Sequence, residues 1–138
     1  MEVEFFAVMK IINEGSIKLK THLTKKISKA MGVFYNPVMN LNRDVSVLLL
    51  NSINKSNVQI ADPLAASGVR SIRFLKELNK TKIKKIYIND MDKNAIRSIK
   101  NNLTLNKIQY KSNKKITVSN EDANLFLLKS TGFDYIDI

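Results

Sequence analysis

The chain has 138 residues, a formal net charge of +11, no Cys and a single His. That length supports one domain with a real core but not two, and without cysteine there is no disulfide or thiolate metal site within these residues. His22 has no sequence neighbours with which to build a zinc site, so no metal is expected. No stretch approaches the ~20 apolar residues that cross a bilayer, and no charged-then-apolar leader opens the sequence; a soluble, cytoplasmic protein is expected. Lysine supplies 19 of the 23 basic residues, in runs such as Lys18, Lys20, Lys25, Lys26 and Lys29, or Lys80, Lys82, Lys84 and Lys85. A surface this basic attracts polyanions, RNA first among them, although lysine on a solvated face is common without any such partner.

In chain order, "FFAVMKIINEG" is apolar and ends in a turn at Glu14-Gly15, and "SIKLKTHL" alternates apolar with basic. Together they predict a β-hairpin with a basic outer face. "MGVFYNPVMNLNRD" passes through Gly32 and Pro37 and is expected to be extended. "RDVSVLLLNSI" predicts a helix packed on the core. From residue 57 strands and helices alternate. "NVQIAD", "KKIYIND", "KKITVSN" and "FDYIDI" read as strands. "SGVRSIRFLKELNK" aligns Val69, Ile72, Leu75 and Leu78 on one helical stripe, with Ser67 placed to cap it. "DKNAIRSIKNNLTLN" repeats the period with Ile96, Ile99 and Leu103 behind Asp92 as a cap, and "EDANLFLLKS" opens a short helix with acids, which suits the helix dipole. The alternation predicts an α/β fold with a parallel sheet and right-handed crossovers. Residues 1–39 form a β-rich, extended segment and 40–138 the first part of a Rossmann-like domain.

Ligands of such sheets bind at the carboxyl ends of the strands, near the reversal of strand order. Asp62, Asp90 and Asp122 fall at or just past three consecutive strand ends. The first turn, "ADPLAASGVR", has one glycine, Gly68, where a dinucleotide fingerprint has three, and the 28 residues from Asp62 to Asp90 exceed the ~20 usual in that fingerprint. A carboxylate opening the turn serves a pyrophosphate badly. A cationic nucleotide is served better, and S-adenosylmethionine carries both an ammonium and a sulfonium. Asp62 is then expected to face the ammonium, Asp90 to accept both ribose hydroxyls, and Asp122 with the backbone of Ala123 to meet the adenine. Each acid, taken alone, also reads as an ordinary cap or turn residue.

The stretches "EGSIKLK", "VFYNPVMNLNRD", "ADPLAASGVRSIRFLKEL", "YINDMDKNAIRSIKNNLTLN" and "EDANLFL" together resemble the tRNA guanine-N2 dimethyltransferases, which use S-adenosylmethionine to modify guanine at position 26 of tRNA. "FYNPxxxxNRD" is the specific element of the match; an acid at a strand end is not. The resemblance implies a class I methyltransferase fold with S-adenosylmethionine as cofactor and tRNA as partner. It further implies that Arg43 and Arg70 contact the cofactor's methionine carboxylate, a role that suits a guanidinium fork. Phe34 and Tyr35 are expected to shape the target pocket, and Lys18, Lys20, Lys25 and Lys26 to meet tRNA phosphates. In that family an Asp-Pro-Phe-Gly catalytic loop follows the fourth strand, so the catalytic Asp would follow Ile138. The expectation is therefore a cofactor-binding part, inactive alone and marginally stable, with the fourth strand beside the first as an unprotected edge. Alternatives are another S-adenosylmethionine-dependent RNA methyltransferase, a catalytically dead basic RNA-binding module, or half of a split enzyme completed by a second polypeptide. An NAD-type oxidoreductase domain is disfavoured by the single loop glycine.

Overall fold

A computed structural model describes residues 8–23, 32–130 and 132–138. Strands β1 (Val8–Glu14) and β2 (Ile17–Leu23) form the expected antiparallel hairpin. Gly15, at the first position of its two-residue loop, takes φ +53, the left-handed conformation such connections call for. A 3-10 turn at Pro37–Met39 leads into α1 (Asn40–Ser52). The alternating part follows as β3 (Val58–Asp62), α2 (Val69–Glu77), β4 (Ile83–Asn89), α3 (Lys93–Leu105), β5 (Ile116–Ser119), α4 (Ala123–Leu128) and β6 (Tyr135–Ile136). The strands β3 to β6 form one parallel sheet in the order β5-β4-β3-β6. The chain steps outward from β3 to β5 and then crosses back, so strand order reverses between β3 and β6, as the fourth-beside-first expectation required.

The central strands are largely apolar because helices pack on the sheet, and the hairpin packs in turn on α2 and α3. Ile60, Ile86 and Ile88 of the sheet pack with Ile72 and Phe74 of α2, Ile99 and Leu103 of α3, and Ile17 and Leu19 of β2 in one buried cluster. The hairpin thus shares its core with the sheet. Its attachment to α3 is polar: Asn102 accepts from the Lys20 N–H at 2.8 Å and donates to the Lys20 carbonyl at 3.2 Å, and Asn106 does the same for Lys18 at 2.9 and 2.7 Å. One helical turn apart, the two amides pair the edge of β2 that β1 leaves open, as a further strand would.

Three expectations change. The second half of "MGVFYNPVMNLNRD", expected to be extended, is helical: Asn36 caps the 3-10 turn at Pro37–Met39, and α1 follows from Asn40. Ser67 does not cap α2: the cap is Gly68 at φ +77 with no side-chain bond, and the Ser67 hydroxyl is buried without a partner among the described residues. A Cβ on Gly68 would lie 3.2 Å from Ile99, so the loop's one glycine serves both a left-handed turn and the approach of α3. The helix at "RDVSVLLLNSI" does form, but its buried residues are Arg43, Ser46, Val47 and Leu50, while Leu41, Val45, Leu48 and Leu49 stay exposed. An arginine is buried there because Glu14 meets it.

Glu14, 3% exposed, accepts from Arg43 Nε and Nη2 at 2.6 and 2.7 Å, from the Tyr35 hydroxyl at 2.6 Å and from Arg73 Nη1 at 3.2 Å. Arg73 continues to Glu77 and to Asp44. Burial alone would raise the Glu14 carboxyl, but the hydrogen bonds from Arg43 and Tyr35 and the charges of Arg43 and Arg73 outweigh it and hold the pKa below its usual value. Removing the charge leaves two buried guanidiniums short of a partner. Glu14→Gln is therefore expected to destabilise the fold by about 3–5 kcal/mol, the cost typical of breaking a buried pair. Urea unfolding followed by circular dichroism measures it; a loss under about 1 kcal/mol, the value of a surface pair, would contradict this account.

Candidate functional site

Parallel strands bring Asp62, Asp90 and Asp122 to one end of the sheet, at or after the carboxyl ends of the adjacent strands β3, β4 and β5. Their surroundings differ. Asp62 is buried and accepts from the Ser71 hydroxyl at 2.6 Å. Burial pushes its carboxyl up to about 7; the Ser71 bond opposes this, the Asp137 charge adds to it, Arg70 opposes it, and Asp90 adds a little more. Asp90 is half-buried. One of its oxygens accepts from Ala66 N–H at 2.8 Å and the other from Asp92 N–H at 2.9 Å. Those bonds fix the carboxylate's orientation and leave a lone pair on each oxygen. Asp122 is exposed and caps α4 through Oδ1, which accepts from Asn124 and Leu125 N–H. Ala123 is the first residue of that helix.

The loop between β3 and α2 is held against these acids by a backbone N–H and by an amide side chain. Ala66 takes φ +48, a conformation non-glycine residues seldom adopt, and its N–H points at Asp90. Asn89, fully buried at the end of β4, donates to the Pro63 and Glu121 carbonyls at 3.1 and 2.9 Å. Its carbonyl oxygen accepts from the Ser119 hydroxyl at 2.8 Å and from Glu121 N–H at 3.0 Å. One side chain thereby ties the β3 loop to the β5 loop. Sequence reasoning passed over Asn89 for its acidic neighbour. The signal was present: an amide at an apolar strand's end offers donors and an acceptor where two loops meet, and a carboxylate there only accepts.

Arg70, in the first turn of α2, lies at the reversal point between β3 and β6. Its Nε pairs with Asp137, Nη1 donates to Ser46 Oγ and Nη2 to Asn42 Oδ1. Asp137 is itself held above the usual carboxylate range by burial, against the lowering influence of Arg70. Arg43 sits apart from the three acids' own contacts, with Nε and Nη2 on Glu14 and its guanidinium 5.2 Å from the centre of the Tyr35 ring. Tyr35, expected at an RNA-facing pocket, is instead 5% exposed with its hydroxyl on Glu14, whereas Phe34 is exposed. Lys18 and Lys20 point outward from β2; Lys25 and Lys26 lie outside the described residues. Lys82, counted in a lysine run, is buried with its ammonium on the Ile53 and Lys55 carbonyls just past α1. Among the described residues no helix is long and apolar enough to cross a membrane.

Comparisons with known proteins bear on this arrangement. Residues 13–138 match the family model for N2,N2-dimethylguanosine tRNA methyltransferase. The chain is 41% identical over 136 residues to the tRNA (guanine(26)-N(2)/guanine(27)-N(2))-dimethyltransferase of Aquifex aeolicus, a match covering 94% of this chain and 33% of that protein. It is 39% identical over 135 residues to the tRNA (guanine(26)-N(2))-dimethyltransferase of Methanococcus maripaludis, covering 94% and 35%. Among solved structures it resembles Trm1 of Pyrococcus horikoshii in complex with S-adenosyl-L-methionine, at 30% identity and a TM-score of 0.74, over 94% of this chain and 35% of that one. The chain thus spans about a third of the length of the relatives it matches.

Asp62 binds its proton more tightly in the fold, near 7, than at its ordinary 3.8. Its contribution to stability is therefore complete below about 4 and is lost as pH rises through about 7. Thermal melts from about pH 5 to about pH 8 are expected to show this decline, and Asp62→Asn is expected to flatten it. Asn89→Ala removes four hydrogen bonds and strands the Pro63 carbonyl. A loss of about 2–3 kcal/mol is expected in denaturant unfolding.

Proposed function

The chain belongs to the N2,N2-dimethylguanosine tRNA methyltransferase family, and on that premise we propose that these residues bind S-adenosylmethionine for methylation of the N2 amine of guanine 26 in tRNA. The observation that supports it most directly is the set of acceptors at three adjacent strand ends, beside a one-glycine loop and at a reversal of strand order. Asp90, with its orientation fixed and a lone pair free on each oxygen, suits a pair of ribose hydroxyls. Asp122 keeps Oδ2 clear of its capping bonds and, with Ala123, suits an adenine edge. Asp62 is buried and holds a proton near neutrality, so a ligand ammonium would draw it into the ionised form. Arg70 is the guanidinium at the reversal point and is assigned the methionine carboxylate, for which it would exchange its bond to Asp137. Arg43 is assigned a supporting share of that contact, limited by its commitment to Glu14.

When bound, the cofactor supplies an electrophilic methyl on a positively charged sulfur. What these residues contribute is position: acceptors that orient the nucleoside end and cations that orient the amino-acid end. The nucleophile, an amine whose lone pair is delocalised into the guanine ring, must leave its stack to reach the methyl. In the family that amine is served by the Asp-Pro-Phe-Gly loop, and the proposal is that these 138 residues bind cofactor without methylating tRNA by themselves. Phe34, exposed ahead of the buried Tyr35, is assigned to the target side.

Calorimetric titration with S-adenosylmethionine tests the assignment. Asp90→Ala is expected to weaken binding at least tenfold, about 1.4 kcal/mol, and Arg70→Ala by a similar factor. Cofactor binding that is unchanged in both variants, or absent from a folded wild-type chain, would sink the proposal. Between about pH 5.5 and 7 affinity is expected to rise as Asp62 ionises, and to stay flat in Asp62→Asn.

A further inference from the structure

Away from the acids, the hairpin and α3 enclose a cleft of about 240 Å³, lined by Lys20, Thr21 and His22 of β2 and by Asn94, Arg97 and Asn101 of α3, among others. None of the described residues lining it is acidic. We propose that this cleft seats a phosphate of the RNA backbone, with Arg97 as the principal contact and Lys20 beside it. The inference deepens the proposed function and rests on it, since it takes tRNA as the polyanion.

Arg97 is the first observation. The chain's other arginines are each held by carboxylates: Arg43 by Glu14, Arg70 by Asp137, and Arg73 by Glu14, Asp44 and Glu77. Arg97 is exposed and makes no ion pair or hydrogen bond with any described residue. A guanidinium with its fork open, at the mouth of a cleft whose described lining holds no carboxylate, matches the geometry of a phosphate. The second observation is independent. Thr21, 2% exposed, lines the same cleft, and its hydroxyl has no partner among the described residues. A buried hydroxyl is seldom left so, and a phosphate oxygen would supply its acceptor. The third is the surrounding charge. Lys93, Arg97 and Lys100 are all exposed on α3, and their spacing of four and three residues keeps them on one stripe. Lys18 and Lys20 project from the neighbouring strand, whose backbone Asn102 and Asn106 clamp to the same helix. Finally, α3 starts directly after Asp90 and Asp92, and Arg97 lies one turn in, so the cleft adjoins the ribose carboxylate. A strand of RNA presenting a base to the cofactor would pass its backbone here.

The test measures anisotropy of labelled tRNA with the 138-residue chain from about 50 to about 200 mM salt, alongside calorimetric titration of S-adenosylmethionine. Arg97→Ala is expected to weaken tRNA binding several-fold, for cognate and unrelated tRNA alike, and to reduce the salt slope by about 1. Arg97→Glu is expected to weaken it further, and Arg97→Lys to restore the slope with part of the affinity. The double variant Lys114→Ala, Lys115→Ala, at the amino-terminal end of β5 and so at the opposite end of the sheet, is expected to leave binding as in wild type. Because Arg97 is exposed and unpaired, the variants are expected to keep the wild-type melting temperature. An unchanged slope and affinity in both Arg97→Ala and Arg97→Glu overturns the cleft assignment, as does an equal loss in the lysine control. Retained cofactor binding with a silent Arg97 would sink the cleft alone. A chain that fails to bind cofactor, yet loses tRNA affinity at Arg97, would sink the proposed function and leave the cleft standing.

Discussion

The hairpin, α1 and α2 are joined at a carboxylate that is almost sealed from water. Glu14 closes β1 and meets Tyr35, Arg43 of α1 and Arg73 of α2 at once. A buried charge is tolerable only when its partners are all in place, and a partial set costs several kcal/mol. The hairpin tip, the segment before α1 and both helices are therefore positioned together or not at all. Gly15 belongs to the same constraint: a Cβ there would come within 2.8 Å of Arg73 and within 2.7 Å of Glu77, so the turn must be bare for the ion pair to pass. The consequence reaches the candidate site. The helices that Glu14 brings together are the ones that hold Arg70 against Asn42, Ser46 and Asp137.

Asparagines do the remaining connecting. Asn102 and Asn106 finish the open edge of the hairpin, and Asn89 binds two loops of the site to the end of β4. In each case an amide is required because both a donor and an acceptor must be satisfied at one buried point. An acid at any of these positions would leave a carbonyl unpaired and add a charge. The abundance of asparagine in this lysine-rich chain has, at these positions, a structural use that composition alone conceals. The lysines divide in the same way: Lys82 is buried at the end of α1, while Lys18 and Lys20 project outward beside the cleft.

The three acids at the strand ends share an address but not a chemistry. Asp90 is oriented by two backbone N–H groups, Asp122 is spent in part on a helix cap, and Asp62 is buried deeply enough to keep its proton near neutral pH. Under the proposed reading, that spread suits a ligand with hydroxyls, an amino edge and an ammonium, each of which needs a different acceptor.

Much of this was legible in the order of residues. Strand-helix alternation, the period of Ile72, Ile99 and Leu103, the hairpin turn at Gly15 and the three acids are local patterns, and local patterns survive folding because backbone geometry sets their period. The resemblance to a methyltransferase family likewise lies in contiguous words of sequence, and the family model covers residues 13–138. What a polar side chain meets across the fold is another matter. Nothing near Arg43 in sequence says that a glutamate 29 residues away will hold it, that Tyr35 will be buried by the same carboxylate, or that Ser67 will yield its cap to Gly68. Nor does the count of basic residues separate Lys82, sealed on two carbonyls, from the exposed Arg97. Sequence alone determined most of the elements, their alternation and the end of the sheet where the three acids gather. Tertiary structure decided which charges are committed and which are free, because the energy of a charge depends on its distant partners and its depth from water, and neither is a property of its neighbours along the chain.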